Sequence, residues 1–189
     1  PHLNTMAALA VALRLAKTEQ FHELQERIVH NAQRLGAKLE EYGLRLVSGQ
    51  SENHLLLVDC KSVSANGVSL SGDMAARILD VAGIVLNRNT IPGDKGAFNP
   101  TGLRIGTVWI SQLGFGDAEI DMLAEAIATV LKGCAPFTYA APGGKTDLRA
   151  KVSYTALQHG RALVRKLRRL GDVEASGSSV AIRGDKASE

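Results

Sequence analysis

Four stretches of the sequence have the pattern of a helix, and those at 19–42 and 117–132 repeat apolar residues every three or four positions, which is the spacing of one helix face. They predict helices over residues 4–17, 19–42, 72–81 and 117–132. The first of these is rich in Ala and Leu, and we expect it to be buried or half-buried. Thr18 can cap the start of the second helix, and Gly43 and Gly133 suit the ends of the second and the fourth.

Shorter apolar runs between turn residues predict strands over residues 44–47, 54–60, 84–86 and 103–110. The run HLLLVDC at 54–60 is the most strongly apolar of them. Helices that cover a small sheet make an α/β layer structure. Between the last two strands lie sixteen residues, Asn87 to Gly102, with three glycines and two prolines. A loop this long inside a compact domain is usually functional or disordered.

The composition changes after Gly133. Residues 134–147 contain Pro and Gly and predict a linker. A basic helix is expected next, and the small polar residues at the end of the chain predict a disordered tail. The predicted organisation is a first helix at 1–17, an α/β domain at 18–133, the linker at 134–147, the basic helix at 148–170 and the tail at 171–189.

The overall composition excludes several classes of protein. The 189 residues are 45% hydrophobic and 22% charged, which is typical of a globular protein. The longest apolar run, Met6 to Leu13, is much shorter than a membrane span. The two cysteines, Cys60 and Cys134, lack the spacing of a zinc site and favour a reducing compartment. We therefore expect a cytoplasmic protein without a bound metal.

Positive charge is concentrated towards the C-terminus. The formal net charge is +3, and from Lys145 onward there are ten Lys or Arg against five Asp or Glu. A basic helix can contact nucleic acid or a membrane. However, no aromatic residues alternate with the basic ones at 161–169, and no nucleic-acid motif accompanies them. A solvated helix face that docks on a neighbouring domain is favoured, with no nucleic-acid or membrane partner.

Arg104 is the most informative polar residue in the sequence. It lies inside a predicted strand, between Gly102 and Gly106. A guanidinium in an apolar strand needs a carboxylate or phosphate, for which its planar fork is suited. The flanking glycines leave space for a ligand or for backbone to approach closely. A bound anion and an internal salt bridge to Asp or Glu explain this pattern equally well.

The loop before that strand offers groups that suit a planar ligand. Asn87, Asn89 and residues 96–99 supply amide and backbone groups, and Phe98 supplies a flat apolar surface. This combination fits a heteroaromatic ligand with hydrogen-bonding edges. From the residues alone, a turn-rich connector is the favoured alternative.

No catalytic nucleophile is evident in the sequence. His54 opens a strand and is expected to be a structural hydrogen-bond partner, and the other histidines lack metal-site spacing. The sequence GGKT at 143–146 lacks the earlier glycine and the strand of a phosphate-binding loop. There is no GxSxG motif of a serine hydrolase.

Three segments resemble serine hydroxymethyltransferases. They are PHLNTMAALAVAL at 1–13, SENHLLLVD at 51–59 and NRNTIPGDKGAFNPTGLRIGT at 87–107. The resemblance implies the C-terminal small domain of a fold-type I pyridoxal phosphate transferase, with helices on a small sheet and a basic helical tail. Residues 1–17 would then be the helix that connects to the cofactor-binding domain. Because Pro1 opens directly on this helical pattern, we expect the chain to be part of a longer polypeptide.

The resemblance also implies roles for individual residues. Arg104 matches the arginine that binds the substrate α-carboxylate. Asn89 matches the loop asparagine that contacts folate, and Gly96, Ala97 and Phe98 match the neighbouring folate-binding stretch. The implied reaction interconverts serine and glycine and transfers a one-carbon unit to tetrahydrofolate. Pyridoxal phosphate would be the cofactor, and the complete enzyme would be a homodimer or homotetramer.

Two features depart from the family pattern. After Thr107 the family usually continues with Pro-Ala and later an Arg-Gly-Phe turn, whereas this chain has VWISQLGF at 108–115. In addition, the Schiff-base lysine, the aspartate at the pyridine nitrogen and the histidine on the ring all belong upstream of Pro1. No catalytic or cofactor-binding residue is therefore assigned in this chain, and alone it should not turn over.

Two other functions are consistent with these residues. The changed segment at 108–113 favours a related enzyme, such as an α-methylserine transferase or a β-hydroxy amino acid aldolase. Folate-independent cleavage of β-hydroxy amino acids by the complete protein would support the aldolase. A non-catalytic domain that keeps Arg104 for amino-acid binding is the second alternative, and a gene without an upstream half would favour it.

Overall fold

The computed structural model describes residues 2–140, 144 and 146–177. Its helices are α1 (Leu3–Leu15), α2 (Glu19–Glu41), α3 (Gly72–Ala82), α4 (Val108–Gln112), α5 (Asp117–Lys132) and α6 (Tyr154–Gly177). Its strands are β1 (Arg45–Leu46), β2 (Leu55–Asp59), β3 (Ser64–Ala65), β4 (Val68–Ser69), β5 (Asn87–Asn89), β6 (Gly102–Gly106), β7 (Cys134–Ala140) and β8 (Thr146–Val152). The described residues thus form an α/β structure, as predicted.

The two core helices follow the apolar stripes seen in the sequence. In α2, Ile28, Leu35 and Leu39 are buried. The Thr18 hydroxyl accepts a hydrogen bond from the Phe21 amide at 3.4 Å, which confirms the predicted cap. Helix α5 has the predicted bounds and buries a stripe of its own. These two helices supply much of the core that supports the sheet.

The main sheet has the order β1-β2-β6-β5, and its neighbouring strands are antiparallel. Alternate residues of a strand point to opposite faces of a sheet. One face contributes Leu56, Val58, Leu103 and Ile105 to a core shared with α2, α3 and α5. The opposite face carries Arg104, which pairs with Leu57 on β2 and with Asn87 on β5.

Helix α6 returns along α5 at close range. A Cβ atom at Gly160 would lie 2.4 Å from Val130 Cγ2, so a larger residue would force the Val130 side chain or the helices to shift. Val164 and Leu167 are buried on the same side of α6. The C-terminal helix is therefore packed onto the domain through its apolar side.

A β-hairpin occupies the region where the sequence predicts a linker. Strands β7 and β8 pair antiparallel over their whole length, from Cys134 opposite Val152 to Ala140 opposite Thr146. The linker prediction for 134–147 is therefore wrong for the described residues of that range. Proline and glycine conceal a period-two pattern, in which Cys134 and Pro136 are buried and their neighbours in β7 are exposed.

The basic helix begins later than predicted, because residues 148–152 belong to β8. Ser153 precedes α6, and its hydroxyl accepts a hydrogen bond from the Ala156 amide at 3.4 Å. Residues 171–177 are helical, so the prediction of a disordered tail is wrong for them. The rest of that predicted tail, residues 178–189, lies outside the described part of the chain.

Other corrections concern α1 and the edges of the sheet. All residues of α1 are exposed in this chain, so the expectation of a buried or half-buried first helix is wrong here. The third strand lies at 87–89 instead of 84–86, and the fourth ends at Gly106, because α4 begins at Val108. None of the helices that the structure describes combines the length and the apolarity needed to cross a membrane.

Candidate ligand-binding site

Arg104 lies at the centre of the open face of the main sheet. Its side chain is exposed, and Nη2 donates a hydrogen bond to Asn87 Oδ1 at 3.3 Å. Among the described residues, no carboxylate lies within salt-bridge distance of it. The sequence allowed an internal salt bridge as the alternative to a bound anion. The described residues do not form that salt bridge. The guanidinium keeps most of its donors free for an anionic ligand.

The two glycines beside Arg104 differ in their surroundings. A Cβ atom at Gly102 would lie 2.3 Å from Ile91 Cγ2 and 2.9 Å from the Asn89 carbonyl oxygen. At Gly106 the nearest atom, Leu55 Cδ2, would be 3.6 Å away, which is ordinary van der Waals contact. Gly102 therefore allows the protein's own loop to approach the strand, while the Gly106 side of Arg104 is open.

Strand β5 is fixed at the sheet edge by an ion cluster. Arg88 pairs with Asp73 on α3, and Arg77 Nε donates to the same carboxylate at 2.8 Å. Partial burial alone would raise the pKa of Asp73, but the two arginines outweigh it and lower that pKa. Because Arg88 is held on one side of β5, Asn87 and Asn89 are placed on the face that carries Arg104.

The loop between β5 and β6 is closed at its base by Asp94. Its carboxylate accepts hydrogen bonds from the Ile91 amide at 3.1 Å, the Thr101 amide at 2.9 Å and the Thr101 hydroxyl at 2.5 Å. Desolvation would raise the pKa of Asp94, but these hydrogen bonds outweigh it and lower that pKa. A carboxylate that remains charged at neutral pH thus holds the two ends of the loop together.

The loop and the turn after β2 enclose an open cavity of about 440 Å³. Its lining includes Lys61, Lys95, Gly96 and Phe98. The Phe98 ring is 97% exposed, so it presents its flat surface to solvent. Two lysines beside an exposed ring suit a ligand that has both an aromatic part and an anionic part.

The structure brings the predicted site residues into two groups. Gly96 and Phe98 line the loop cavity, and Ala97 is exposed between them. Asn89 lies on β5 opposite Gly102, on the sheet face that carries Arg104, and its Nδ2 donates to the Thr90 carbonyl oxygen at 2.7 Å. Sequence reasoning missed Lys61 and Lys95 as lining residues, because nothing in their spacing relates them to each other.

The segment that departs from the family pattern forms the short helix α4. The Thr107 hydroxyl donates to the Ile28 carbonyl oxygen at 2.9 Å. The buried Asn31 side chain donates from Nδ2 to Ser111 Oγ at 2.8 Å and to the Phe115 carbonyl oxygen at 2.9 Å. These contacts anchor α4 to α2, and Trp109 remains 68% exposed beyond the end of β6.

The other candidate chemical groups are His54 and the two cysteines. His54 is exposed, and its carbonyl oxygen accepts a hydrogen bond from the Thr107 amide at 3.1 Å. Cys60 and Cys134 are buried free thiols, and desolvation raises their pKa values to about 12 and about 11. Both are therefore protonated at neutral pH and poorly nucleophilic. No cluster of three or more potential metal ligands occurs among the described residues.

Comparisons with known proteins all point to the same family. The family model described as serine hydroxymethyltransferase matches residues 1–127. The chain is 36% identical to the cytosolic serine hydroxymethyltransferase of Neurospora crassa over 156 residues, which is 81% of this chain and 32% of that protein. It is 39% identical to the mitochondrial enzyme of Candida glabrata over 153 residues, 81% of this chain and 30% of the relative.

A third relative matches over more of the chain than these two. The cytosolic serine hydroxymethyltransferase of Encephalitozoon cuniculi is 36% identical over 169 residues, which is 89% of this chain and 35% of that protein. The chain therefore spans about a third of the length of the curated relatives that it matches.

Proposed function

This chain belongs to the serine hydroxymethyltransferase family, and from that premise we propose that it is the C-terminal small domain of a fold-type I enzyme. The complete enzyme would interconvert serine and glycine and transfer a one-carbon unit to tetrahydrofolate. The observation that carries this proposal is the exposed guanidinium of Arg104 on the open face of the sheet, without a described carboxylate partner. Such a group is suited to a carboxylate supplied by the substrate.

Arg104 would orient the amino acid as well as bind it. Two parallel hydrogen bonds between a guanidinium and a carboxylate fix the plane of the carboxylate. Fixing that plane determines which bond of the α-carbon is presented for reaction. The hydrogen bond from Arg104 to Asn87 at 3.3 Å supports this role, because it limits the directions in which the guanidinium can turn.

The loop between β5 and β6 would supply folate contacts. Tetrahydrofolate combines a flat ring system with an anionic glutamate portion. The exposed Phe98 ring, the backbone at Gly96 and Ala97 and the amide of Asn89 offer stacking and hydrogen bonds to the ring system. Asp94 would act indirectly, by holding the loop in shape.

The described residues do not by themselves provide a site for pyridoxal phosphate. A cofactor of this kind needs a lysine amine, a partner for the pyridine nitrogen and a phosphate cradle. Around Arg104 the recorded polar partner is the neutral amide of Asn87, and Lys61 and Lys95 line the separate loop cavity. The cofactor-binding residues are therefore proposed to lie in a part of the complete enzyme outside this chain.

Assembly and location follow from the same proposal. A homodimer or homotetramer is proposed for the complete enzyme, with α1 as the helix that connects to its cofactor-binding domain. The relatives carry cytosolic, mitochondrial and chloroplastic names. We propose the cytoplasm for this protein, since its two described cysteines are unpaired and buried.

A related enzyme with another amino-acid substrate is the second candidate. The observation that favours it is α4, which replaces the expected family sequence directly after the Arg104 strand. Its Trp109 side chain is 68% exposed at that point. A bulky ring there would change which substituents on the amino acid fit beside Arg104, as in an α-methylserine transferase or an aldolase.

Turnover by the complete natural gene product distinguishes these functions. Formation of glycine from serine that requires tetrahydrofolate is the expected result. Cleavage of β-hydroxy amino acids at an equal rate without folate would replace the proposal with the aldolase. Loss of both activities in the purified, cofactor-loaded protein would contradict both enzymes. The 189-residue chain alone serves as the control, and it should be inactive.

A further inference from the structure

The β7–β8 hairpin has one face on the core and one face in solvent. Residues that are directly opposite in an antiparallel pair point to the same side. The outer face therefore carries Phe137 and Tyr139 from β7 and Asp147, Arg149 and Lys151 from β8. The family model ends at residue 127, so this hairpin lies outside the residues that it matches.

Aromatic and basic side chains alternate across this outer face. The Arg149 guanidinium lies 5.4 Å from the centre of the Tyr139 ring, and Lys151 Nζ lies 5.6 Å from the centre of the Phe137 ring. Asp147 accepts a hydrogen bond from the Tyr139 hydroxyl at 3.2 Å and pairs with Arg149 at 3.0 Å. These side chains of the outer face are therefore held in place by contacts with one another before any ligand binds.

The aromatic side chains of this region are exposed to solvent. Phe137 and Tyr139 are 36% and 38% exposed, and Tyr154 at the start of α6 is 75% exposed. Three aromatic side chains in one short region are thus left in contact with water. Exposed apolar groups that cluster in this way often mark a binding surface.

Helix α6, which follows the hairpin directly, adds strong positive charge. No Asp or Glu occurs between Tyr154 and Gly171. The side of α6 that faces solvent carries Arg161, Arg165, Lys166, Arg168 and Arg169. The apolar side, with Val164 and Leu167, is buried on the domain. The helix therefore has no apolar face to insert into a lipid surface, which argues against a membrane as the partner.

We propose that the outer face of the β7–β8 hairpin and the basic side of α6 bind single-stranded nucleic acid. Proteins that bind single strands combine cations for the phosphate backbone with aromatic rings on which bases stack. The sequence argued against this partner because its basic residues do not alternate with aromatic ones along the chain. Strand pairing creates that alternation, because it sets Phe137 and Tyr139 of one strand beside Arg149 and Lys151 of the other.

Fluorescence anisotropy of the complete protein with a labelled oligouridine tests the proposal. A length of about 20 nucleotides exceeds the 4–16 that one small binding fold usually covers. The variant Phe137→Ala/Tyr139→Ala should weaken binding roughly tenfold or more, as expected for lost base stacking. The variant Arg149→Gln/Lys151→Gln should lower the slope of log K against log salt by about 1.4, for two lost phosphate contacts.

Matched variants separate binding from folding. Tyr139→Phe keeps the ring and loses only the hydroxyl, so it should bind like the unmodified protein. Arg14→Gln/Lys17→Gln removes the same charge from exposed residues outside the hairpin and α6, and it should leave the affinity nearly unchanged. Unchanged serine turnover in the Phe137→Ala/Tyr139→Ala variant shows that it is folded.

Three results would overturn the proposal. The first is the absence of oligouridine binding at low salt. The second is binding that the aromatic variant does not weaken. The third is equally tight binding to polyphosphate or to vesicles of anionic lipid, which would show a general response to negative charge without base stacking.

Discussion

At the scale of single residues, Arg104 and Asp94 have opposite surroundings and complementary roles. Arg104 is exposed on a sheet face, so its charge is solvated and costs little when no ligand is present. Asp94 is half-buried and accepts three hydrogen bonds from the loop that it closes. Arg104 is therefore free to bind a ligand, and Asp94 holds the proposed folate-binding loop in place.

The substitution Asp94→Asn should weaken folate binding and leave serine binding nearly unchanged. Hydrogen bonds to a charged group contribute about 1.5–3 kcal/mol each, and the amide cannot replace all of them. A loss of about 1.4 kcal/mol in binding free energy corresponds to a tenfold rise in the KM for tetrahydrofolate. Steady-state kinetics of the complete enzyme measure both KM values. The matched control is Asp80→Asn, at an exposed carboxylate on α3.

The pH dependence of this loop has a defined sign. Because the folded-state pKa of Asp94 is lowered, its stabilising contribution is present above the unfolded-state pKa and is lost as pH falls through the lowered value. Tetrahydrofolate affinity should therefore not change through Asp94 between neutral pH and mildly acidic pH.

For the substitution Asp94→Asn, an equal rise in the KM values for serine and for tetrahydrofolate would contradict a role specific to the loop.

At the scale of secondary-structure elements, the sequence predicts the helices better than the strands. Long apolar stripes fix α2, α3 and α5 to within a residue or two, because each stripe must face the core. Strand β5 is the polar sequence Asn-Arg-Asn at a sheet edge, so it carries no apolar alternation to reveal it. The β7–β8 hairpin is concealed in a similar way, since its outer face is aromatic and basic.

Gly102 and Gly106 provide a test of how β6 is packed. The substitution Gly102→Ala should destabilise the protein by about 1–3 kcal/mol, because its methyl group would overlap Ile91 Cγ2 and the Asn89 carbonyl oxygen. Gly106→Ala should be tolerated, since its nearest neighbour would be 3.6 Å away. Urea denaturation followed by circular dichroism compares the two variants. Equal destabilisation would contradict the difference in packing.

At the scale of the whole molecule, helix α1 is separate from the core. Its large apolar side chains are all at least 55% exposed, and none of its residues is buried. An apolar surface of this kind usually covers another surface. This is consistent with the proposal that α1 connects to the cofactor-binding domain of the complete enzyme.

Hydrogen exchange tests whether α1 packs against the rest of the protein. A helix of 13 residues that buries none of them is marginally stable in water. In the 189-residue chain alone, the amides of α1 should exchange at least tenfold faster than in the complete protein. The amides of α5 should be protected in both, which also reports whether the chain folds alone. Similar protection of α1 in the two samples would argue against a docking role for this helix.

Only part of the candidate site can be predicted from the sequence, and the reason is physical. Arg104, Asn89 and the 96–98 stretch lie within one continuous motif, so a single segment of sequence identifies them. The cavity beside Phe98 is completed by Lys61, which comes from the turn after a different strand. The order of β2, β6 and β5 in the sheet creates that proximity, and the linear sequence does not contain it.

The most direct test of the central claim is the affinity of the complete enzyme for glycine when Arg104 is changed. Loss of one partner from a hydrogen-bonded charge pair at a binding site costs about 2–5 kcal/mol, which is roughly thirtyfold or more in affinity. Isothermal titration should show this loss for Arg104→Ala, a smaller loss for Arg104→Lys, and less than about a twofold change for tetrahydrofolate. Unchanged glycine affinity in Arg104→Ala would contradict the carboxylate-binding role of this residue.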